Sequence, residues 1–458
     1  MVRSASILLM ILIPVAQAQV GLPTVRLPVL PQVPLTGAAV TDDARSDVRI
    51  LRDVRRLAVR DLIRRNRAVI QADHNGAAII RGEILAVSPE QAAIDAAMAA
   101  GFTVLRTRVL EGLDAQIVVL GVPAGMDTLR ALDRVRALAP ATRFDLNHVY
   151  TSSGVAAAAA DVGAPANAAA DRGRRGASGA ADRLAFADGG GLAAATVDGG
   201  AAAGTRVGLI DGGVDSSHPV FSGATIHQHG CASGPVPDAH GTAVASLMIG
   251  RSADFHGSAP GAELYAADVY CGLPTGGAAD AVADAFSWLA REHVPVINVS
   301  LVGPPNVTLE TVIRLIVARG HLVVAAVGND GPAAPPLYPA SYPGVVGVTA
   351  VDAHRRVLFE AGRGPQVRFA APGADMSAAK SVQTFELVRG TSFAAPIVAG
   401  LLAARLPAPD PTAAQLAVDG LAREAVDLGA AGPDPVYGTG LVGLGLAPEA
   451  RLAGQRGR

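Results

Sequence analysis

The six residues "RVGLID", Arg206–Asp211, decide how the larger part of this chain is read. Val207, Leu209 and Ile210 leave no polar face, so the run reads as a strand covered on both sides. It stops at Asp211, before the turn-forming pair Gly212 and Gly213. Comparable runs follow in "LYAADVY" (264–270), "VPVINVSL" (294–301), "HLVVAAVGN" (321–329) and "VVGVTAV" (345–351). Between them lie helical stretches: "HGTAVASLMIG" (240–250), "AADAVADAFSWLAREH" (278–293) and "LETVIRLIVARG" (309–320). Buried strands alternating with helices imply an α/β domain, a parallel sheet with helices on both faces. Ligands of such sheets sit at the carboxyl ends of the strands.

Upstream, the pattern changes. "IIRGEILAVS", "PEQAAIDAAMAAG", "FTVLRTRVLEG", "AQIVVLGVP", "MDTLRALDRVRALAP" and "TRFDLNHVY" follow one another over residues 79–150 as β-α-β-β-α-β. That order predicts a small α+β, ferredoxin-like domain with two helices on one face of its sheet. Residues 151–203 are rich in Ala, Gly and Asp and poor in large apolar side chains, which predicts a flexible linker. Residues 19–78 begin Pro-rich and become Arg-rich at 45–67, where Arg alternates with apolar residues at helical spacing. A solvated helix with one apolar face is expected there, an acidic partner being the alternative. The parallel-sheet domain is expected over 204–447, with a short tail at 448–458.

The first residues, "MVRSASILLMILIPVAQAQV", set Arg3 before a short apolar run and an Ala-Gln-Ala site ending at Ala18. This is the pattern of a secretory signal over 1–18, and the run is too short to span a membrane. A secreted or periplasmic protein with no membrane span after signal cleavage is expected. Export permits a disulfide between Cys231 and Cys271, the two cysteines of the chain. "HQHGC" also sets His227, His229 and Cys231 on one strand face, but with no fourth ligand in view no metal site is assigned. A net charge of -2 across 458 residues gives no reason to expect nucleic acid.

Four polar residues fall at strand or helix ends. Asp211 closes the first strand, His240 opens a helix and Asn329 follows the end of another strand; Ser392 opens the helix of "RGTSFAAPIVAGLLAARL" (389–406). Each alone reads as a cap, a surface group or a turn. Together they are the parts of an acyl-transfer site. His240 would take the Ser392 proton and Asp211 would hold the imidazole, while the Asn329 amide and the Ser392 N–H would stabilise an oxyanion.

Through "LIDGGVDSSHP", "HGTAVASLMIG", "INVSL", "AAVGNDG" and "GTSFAAPIVAG", residues 205–445 resemble the subtilisin-like serine proteases, or subtilases. The Asp, His, Ser chain order is that family's. The resemblance implies a serine endopeptidase acting on protein or peptide substrates, with Asp211, His240 and Ser392 as triad and Asn329 in the oxyanion hole. It also implies that Ser300, Leu301 and Val302, with Ala325, Ala326 and Val327, flank the substrate pocket. The small upstream domain looks like the family's propeptide, an intramolecular inhibitor. No cofactor is required; calcium often steadies the family, but no acidic loop names a site for it. Asp215 and His218 are read as structural.

The sequence departs from the family at Ala243 and Ile397, where His is common, and at Gly212, where Thr or Ser would add a hydrogen bond. Val302 replaces a usual Gly and is expected to narrow the pocket. Two other functions stay open: a catalytically silent subtilase fold used for binding, and a nucleotide-binding α/β protein. The second is disfavoured because no G-x-G-x-x-G opens a helix after the first strand.

Overall fold

A computed structural model describes residues 55–152, 155–156, 204–253, 255–380 and 384–446. The expected signal segment, most of the linker and the C-terminal tail lie outside the described residues.

The N-terminal part starts with helix α1 (55–65) and continues through β1 (Ile70–Ala72), β2 (Ala78–Val87), α2 (Gln91–Ala99), β3 (Thr103–Leu110), β4 (Ala115–Gly121), α3 (Thr128–Leu138) and β5 (Phe144–His148). The strands form an antiparallel sheet in which β3 pairs β4, β4 pairs β2, and β2 also pairs β5 and β1. α2 and α3 cover one face: Ala93, Ala97, Ala131, Leu132 and Val135 pack with Ile84, Ala86, Val118, Leu120, Phe144 and Leu146. Asp127 caps α3 by accepting from the N–H groups of Leu129 and Arg130.

The unit reaches further upstream than the expected start at residue 79. β1 adds a strand, and Val59, Leu62 and Ile63 of α1 pack on Ile70, Ile80 and Val149. The apolar stripe of the Arg-rich segment is therefore laid against this sheet, while Arg64 and Arg65 remain outside and pair with Asp61.

The linker expectation is corrected at its first residues. β6 (Thr151–Ser152) and β7 (Val155–Ala156) are strands, because backbone pairing with the C-terminal part supplies what their small side chains lack.

The C-terminal part runs β8 (Arg206–Asp211), β9 (Ile226–His229), α4 (Ala239–Ile249), a small hairpin of β10 (Arg251–Ser252) and β11 (Phe255–His256), β12 (Glu263–Asp268), α5 (Ala279–Arg291), β13 (Val296–Val299), β14 (Leu301–Val302), α6 (Val307–Ala318), β15 (Leu322–Ala326), β16 (Val346–Val351), β17 (Val367–Pro372), β18 (Met376–Lys380), β19 (Thr384–Arg389), α7 (Thr391–Ala403) and α8 (Pro411–Glu424). Seven strands make one parallel sheet in the order β17-β16-β15-β13-β8-β12-β9. Its two faces feed different cores. Val207, Leu209, Val324 and Val348 pack with α4 and α7, while Ile210, Ile297, Val299 and Val323 pack with α5 and α6. The two-sided burial explains why "RVGLID" shows no alternation. The strand assumed under "HQHGC" is β9, whereas β17 was not foreseen, since a run broken by Arg368 carries a weak pattern.

Candidate active site

β8 delivers Asp211 to the carboxyl edge of the sheet, 1% exposed. Directly above it starts α4. Asp238 caps that helix by accepting from the N–H groups of His240 and Gly241, which fixes the backbone on which His240 stands. The His240 Nδ1–H lies 2.9 and 3.0 Å from the two Asp211 oxygens. Gly212 N–H donates to Asp211 Oδ1 at 2.7 Å, so that carboxylate is held from two directions.

The glycine at 212 has a physical reason beyond a lost hydrogen bond. A Cβ there would lie 2.6 Å from Asp238 Cβ, so any side chain would collide with the residue that caps the His240 helix. Asp238 was missed in the sequence, although an Asp two residues before a helix-opening His is an N-cap signal.

Burial pushes the Asp211 carboxyl up, against the pull of the His240 charge and hydrogen bond. For His240, burial favours the neutral ring, yet the Asp211 charge and hydrogen bond outweigh it and carry the imidazole above its ordinary value. Among the described residues, His240 Nε2 is buried with no hydrogen-bond partner. A basic nitrogen on the far side of an anchored ring is what a proton acceptor requires.

Ser392 sits in the first turn of α7, fully buried, after Gly390 and Thr391. Proline inside this helix has a local explanation. Pro396 has no N–H to give to the carbonyl four residues back, which is that of Ser392. That oxygen instead accepts from Ser300 Oγ at 3.0 Å, and Ser300 Oγ in turn accepts from Asn298 Nδ2 at 2.9 Å. The missing helical bond thus ties the serine turn to the segment between β13 and β14. Ser392 Oγ also lies 3.4 Å from Ser300 O.

Asn329 follows β15 and accepts from Thr391 N–H at 3.1 Å, which directs its amide toward the start of α7. Its Nδ2 is buried with no partner among the described residues. Asp211, His240, Asn329 and Ser392 therefore share one edge of the sheet.

Ser300, Leu301 and Val302 are buried beside this edge, and Leu301–Val302 pair antiparallel with Ser152 and Thr151. Ala325, Ala326 and Val327 are buried, with Ala326 in one core and Ala325 and Val327 in the other, so only their backbone is left to face a ligand. Phe393 and His240 rings lie 5.4 Å apart.

Cys231 and Cys271 form a disulfide that closes 40 residues of chain. His227 stacks on Tyr265 and His229 on Trp288, which gives both imidazoles a packing role. His218 is buried: Nδ1 accepts from Val220 N–H at 3.1 Å, and Nε2 lies 3.1 Å from Thr384 O. Asp215 accepts from Ser217 in the same turn.

Among the described residues, two groups bring metal-ligand atoms together, Cys231–Asp268–Cys271 and Asp211–Asp238–His240. The first is disulfide-bonded and the second is the acid–histidine pair with its helix cap. Neither fits calcium, which takes six to eight oxygens.

A model of the subtilase family matches residues 202–440, and the chain belongs to that family. Subtilisin BL of Lederbergia lenta is 34% identical over 245 residues, 52% of this chain and 88% of that protein. Subtilisin E of Bacillus subtilis (strain 168) is 34% identical over 209 residues, 43% of this chain and 54% of its own length. Fervidolysin of Fervidobacterium pennivorans, described as a keratinolytic enzyme related to subtilisin, shares the fold with a TM-score of 0.60 at 22% identity, covering 83% of this chain and 62% of its own. The last two matches span less than two thirds of those proteins. The chain is a subtilisin-like α/β protein, and its class is serine-type endopeptidase.

Proposed function

We propose that the chain is the exported precursor of a serine endopeptidase whose nucleophile is Ser392. The observation that carries this reading is the His240 ring, anchored through Nδ1 on both Asp211 oxygens with Nε2 unpartnered, at the sheet edge where α7 presents Ser392. His240 accepts the Ser392 proton as Oγ adds to the substrate carbonyl, then returns it to the leaving amine. Asp211 orients the ring and stabilises the imidazolium. The developing oxyanion is bound by Asn329 Nδ2, whose other end is tied to Thr391, and by the Ser392 N–H in the first turn of α7. Substrates lie as an added strand along Ser300–Val302, with the backbone of Ala325–Val327 on the opposite side. Val302 narrows this channel through its buried side chain.

In this reading residues 1–18 are a signal peptide and 19–78 an N-terminal segment. Residues 79–150 are a ferredoxin-like propeptide, with α1 and β1 joined to it. The linker, the catalytic domain and the tail follow over 151–203, 204–447 and 448–458. The strand order β3-β4-β2-β5 with both helices on one face supports the ferredoxin-like assignment. Inhibition by the propeptide is supported by β6 lying on Leu301–Val302. Export to the periplasm or medium is supported by the N-terminal sequence pattern and by the disulfide. Among the described residues, no helix is long and apolar enough to cross a membrane. Hydrolysis needs no cofactor, and calcium is given no site.

Treatment of the wild type and Ser392→Ala with a fluorophosphonate, read by intact mass, tests the assignment. Labelling of the wild type alone is expected. If neither reacts, the binding-module reading takes its place.

A further inference from the structure

We propose that α1 is a latch across the active site, held by the ion pair Arg55–Asp330, and that breaking this pair limits release of the N-terminal part from the cleaved chain. The proposal rests on the reading of the chain as a precursor whose nucleophile is Ser392. The Arg55 guanidinium donates through Nη1 to Asp330 Oδ2 at 2.7 Å, between residues 275 positions apart. Asp330 directly follows Asn329, assigned above to the oxyanion. The turn that carries both is fixed at its other residues. Gly328 N–H donates to Thr391 Oγ1 at 3.2 Å, Asn329 Oδ1 accepts from Thr391 N–H at 3.1 Å, and Gly331 N–H donates to Glu360 O at 2.8 Å. The Arg55 and Asp330 side chains are 26% and 15% exposed, whereas Arg64, paired with Asp61 in the same helix, is 68% exposed. Solvent therefore screens the long-range pair less than the local one.

Further along, the helix is fixed on the opposite side of the catalytic edge. Val59, Leu62 and Ile63 pack on the cluster of Ile70, Ile80, Val149 and Ala278, and Val149 bridges to Ala278 at the connection from β12 to α5. Asp330 stands after β15. Between β15 and β12 in the sheet lie β13 and β8, whose carboxyl ends lead to Ser300 and carry Asp211. Three strand spacings amount to about 14 Å, and a helix over 55–65 is about 16 Å long. The length of α1 thus matches the breadth of the edge between its two anchors. Among the described residues, Arg55 Nε is buried with no partner, so the guanidinium is bound through Nη1 and not as a fork. A single-point ion pair closes the helix over the site yet opens without breaking a bidentate grip.

The experiment follows the cleaved complex formed by the full-length wild type, Arg55→Gln, Arg55→Asp, Asp330→Arg, and the exchange that combines Arg55→Asp with Asp330→Arg. Dilution starts release, which is read as the onset of activity on an uncharged peptide and as separation of the two parts by size exclusion. Fluorophosphonate labelling counts the sites set free. Arg55→Gln, which removes the charge and keeps most of the stem, is expected to release roughly tenfold faster than wild type. The kcat/KM of its freed enzyme should be unchanged, because Arg55 leaves with the N-terminal part. The exchange should release more slowly than either of its single replacements, a rescue that disturbed folding would not give. A labelled enzyme released at the wild-type rate in Arg55→Gln and Arg55→Asp, or no slower in the exchange than in its singles, overturns the proposal and leaves Ser392 in place. Absence of labelling in every chain overturns the reading of Ser392 and the proposal with it.

Discussion

The two sheets of this protein solve the same burial problem differently. The parallel sheet is covered on both faces by helices of its own sequence neighbourhood, α4 and α7 on one side and α5 and α6 on the other. The antiparallel sheet carries α2 and α3 on one face, with α1 packed at its β1 end. Its other face, with Leu85, Leu110, Ile117 and Val119, packs into the cluster that holds Phe286, Leu289 and Val312 of α5 and α6. A small domain with one face borrowed from its neighbour is complete only while docked. In the proposed reading of this domain as a propeptide, that is a physical basis for its loosening once the chain is cut.

The polar contacts at this seam are as specific as the apolar ones. Asp280, 1% exposed in the first turn of α5, receives Arg106 at 2.9 Å, Arg108 at 2.8 Å and Asn147 Nδ2 at 2.9 Å from the N-terminal sheet. Arg106 also grips Glu83 with both terminal nitrogens at 2.7 Å. At α6, Asn306 caps Leu309 N–H and also donates to Leu146 O, while Asp145 accepts from Val307 N–H. The N-terminal sheet thereby completes helix starts that belong to the other part.

The largest expected effect separates chemistry from docking. Asp211→Asn should lower kcat/KM roughly 10^4-fold, because the amide can donate to Nδ1 and hold the imidazole in the wrong tautomer, and no longer stabilises the imidazolium, while the affinity for the N-terminal part stays unchanged. The pH profile sharpens this. In the proposed mechanism the base is neutral His240, whose value is raised by Asp211, so activity should appear as pH rises through a point above the ordinary imidazole value. In the variant that limb should move to lower pH. An unmoved limb would argue against the pairing.

Next in size is the seam. Asp280→Ala leaves Arg106 with Glu83 alone and removes the short contact of Arg108, and should weaken the cleaved complex by about 2 kcal/mol, or roughly 30-fold in Kd, with kcat unchanged. Titration of the matured complex by size-exclusion or fluorescence would measure it, and an unchanged Kd would show that apolar contact alone holds the two parts. Burial pushes the Asp280 carboxyl up, but Arg108 and Arg106 outweigh it and hold it below the usual range. Its contribution is therefore present above the ordinary carboxylate value and lost as pH falls through the lower folded-state value. Acid should release the N-terminal part.

The smallest effect concerns Gly212. Replacing it with Ser restores the family's usual residue type but drives a Cβ into Asp238. A loss of roughly 1–3 kcal/mol in stability is expected, read by thermal unfolding. A neutral or stabilising result would mean that the α4 cap can shift freely.

Much of this was legible in order of residues. The β-α-β-β-α-β run appears where its apolar pattern placed it, and the strands from "RVGLID" to "VVGVTAV" form the parallel sheet. Asp211, His240, Asn329 and Ser392 were recognisable because each occupies a strand or helix end, where local signals are strong. Asp238 and the Ser300 hydroxyl were not, since their importance depends on partners at a distance: the clash with position 212 and the carbonyl released by Pro396.

By itself the sequence determined the element types, the polar residues at the sheet edge, and the family to which they belong. Those follow from periodicity, capping and motif spacing, which act over a few residues. Only the tertiary structure decided that Thr151–Ser152 and Val155–Ala156 are strands, that Tyr150 is fully buried, and that one face of the N-terminal sheet is shared. Backbone pairing and shape-matched burial across the chain carry no signal in the local pattern of either partner, because each half is satisfied only when the other is present.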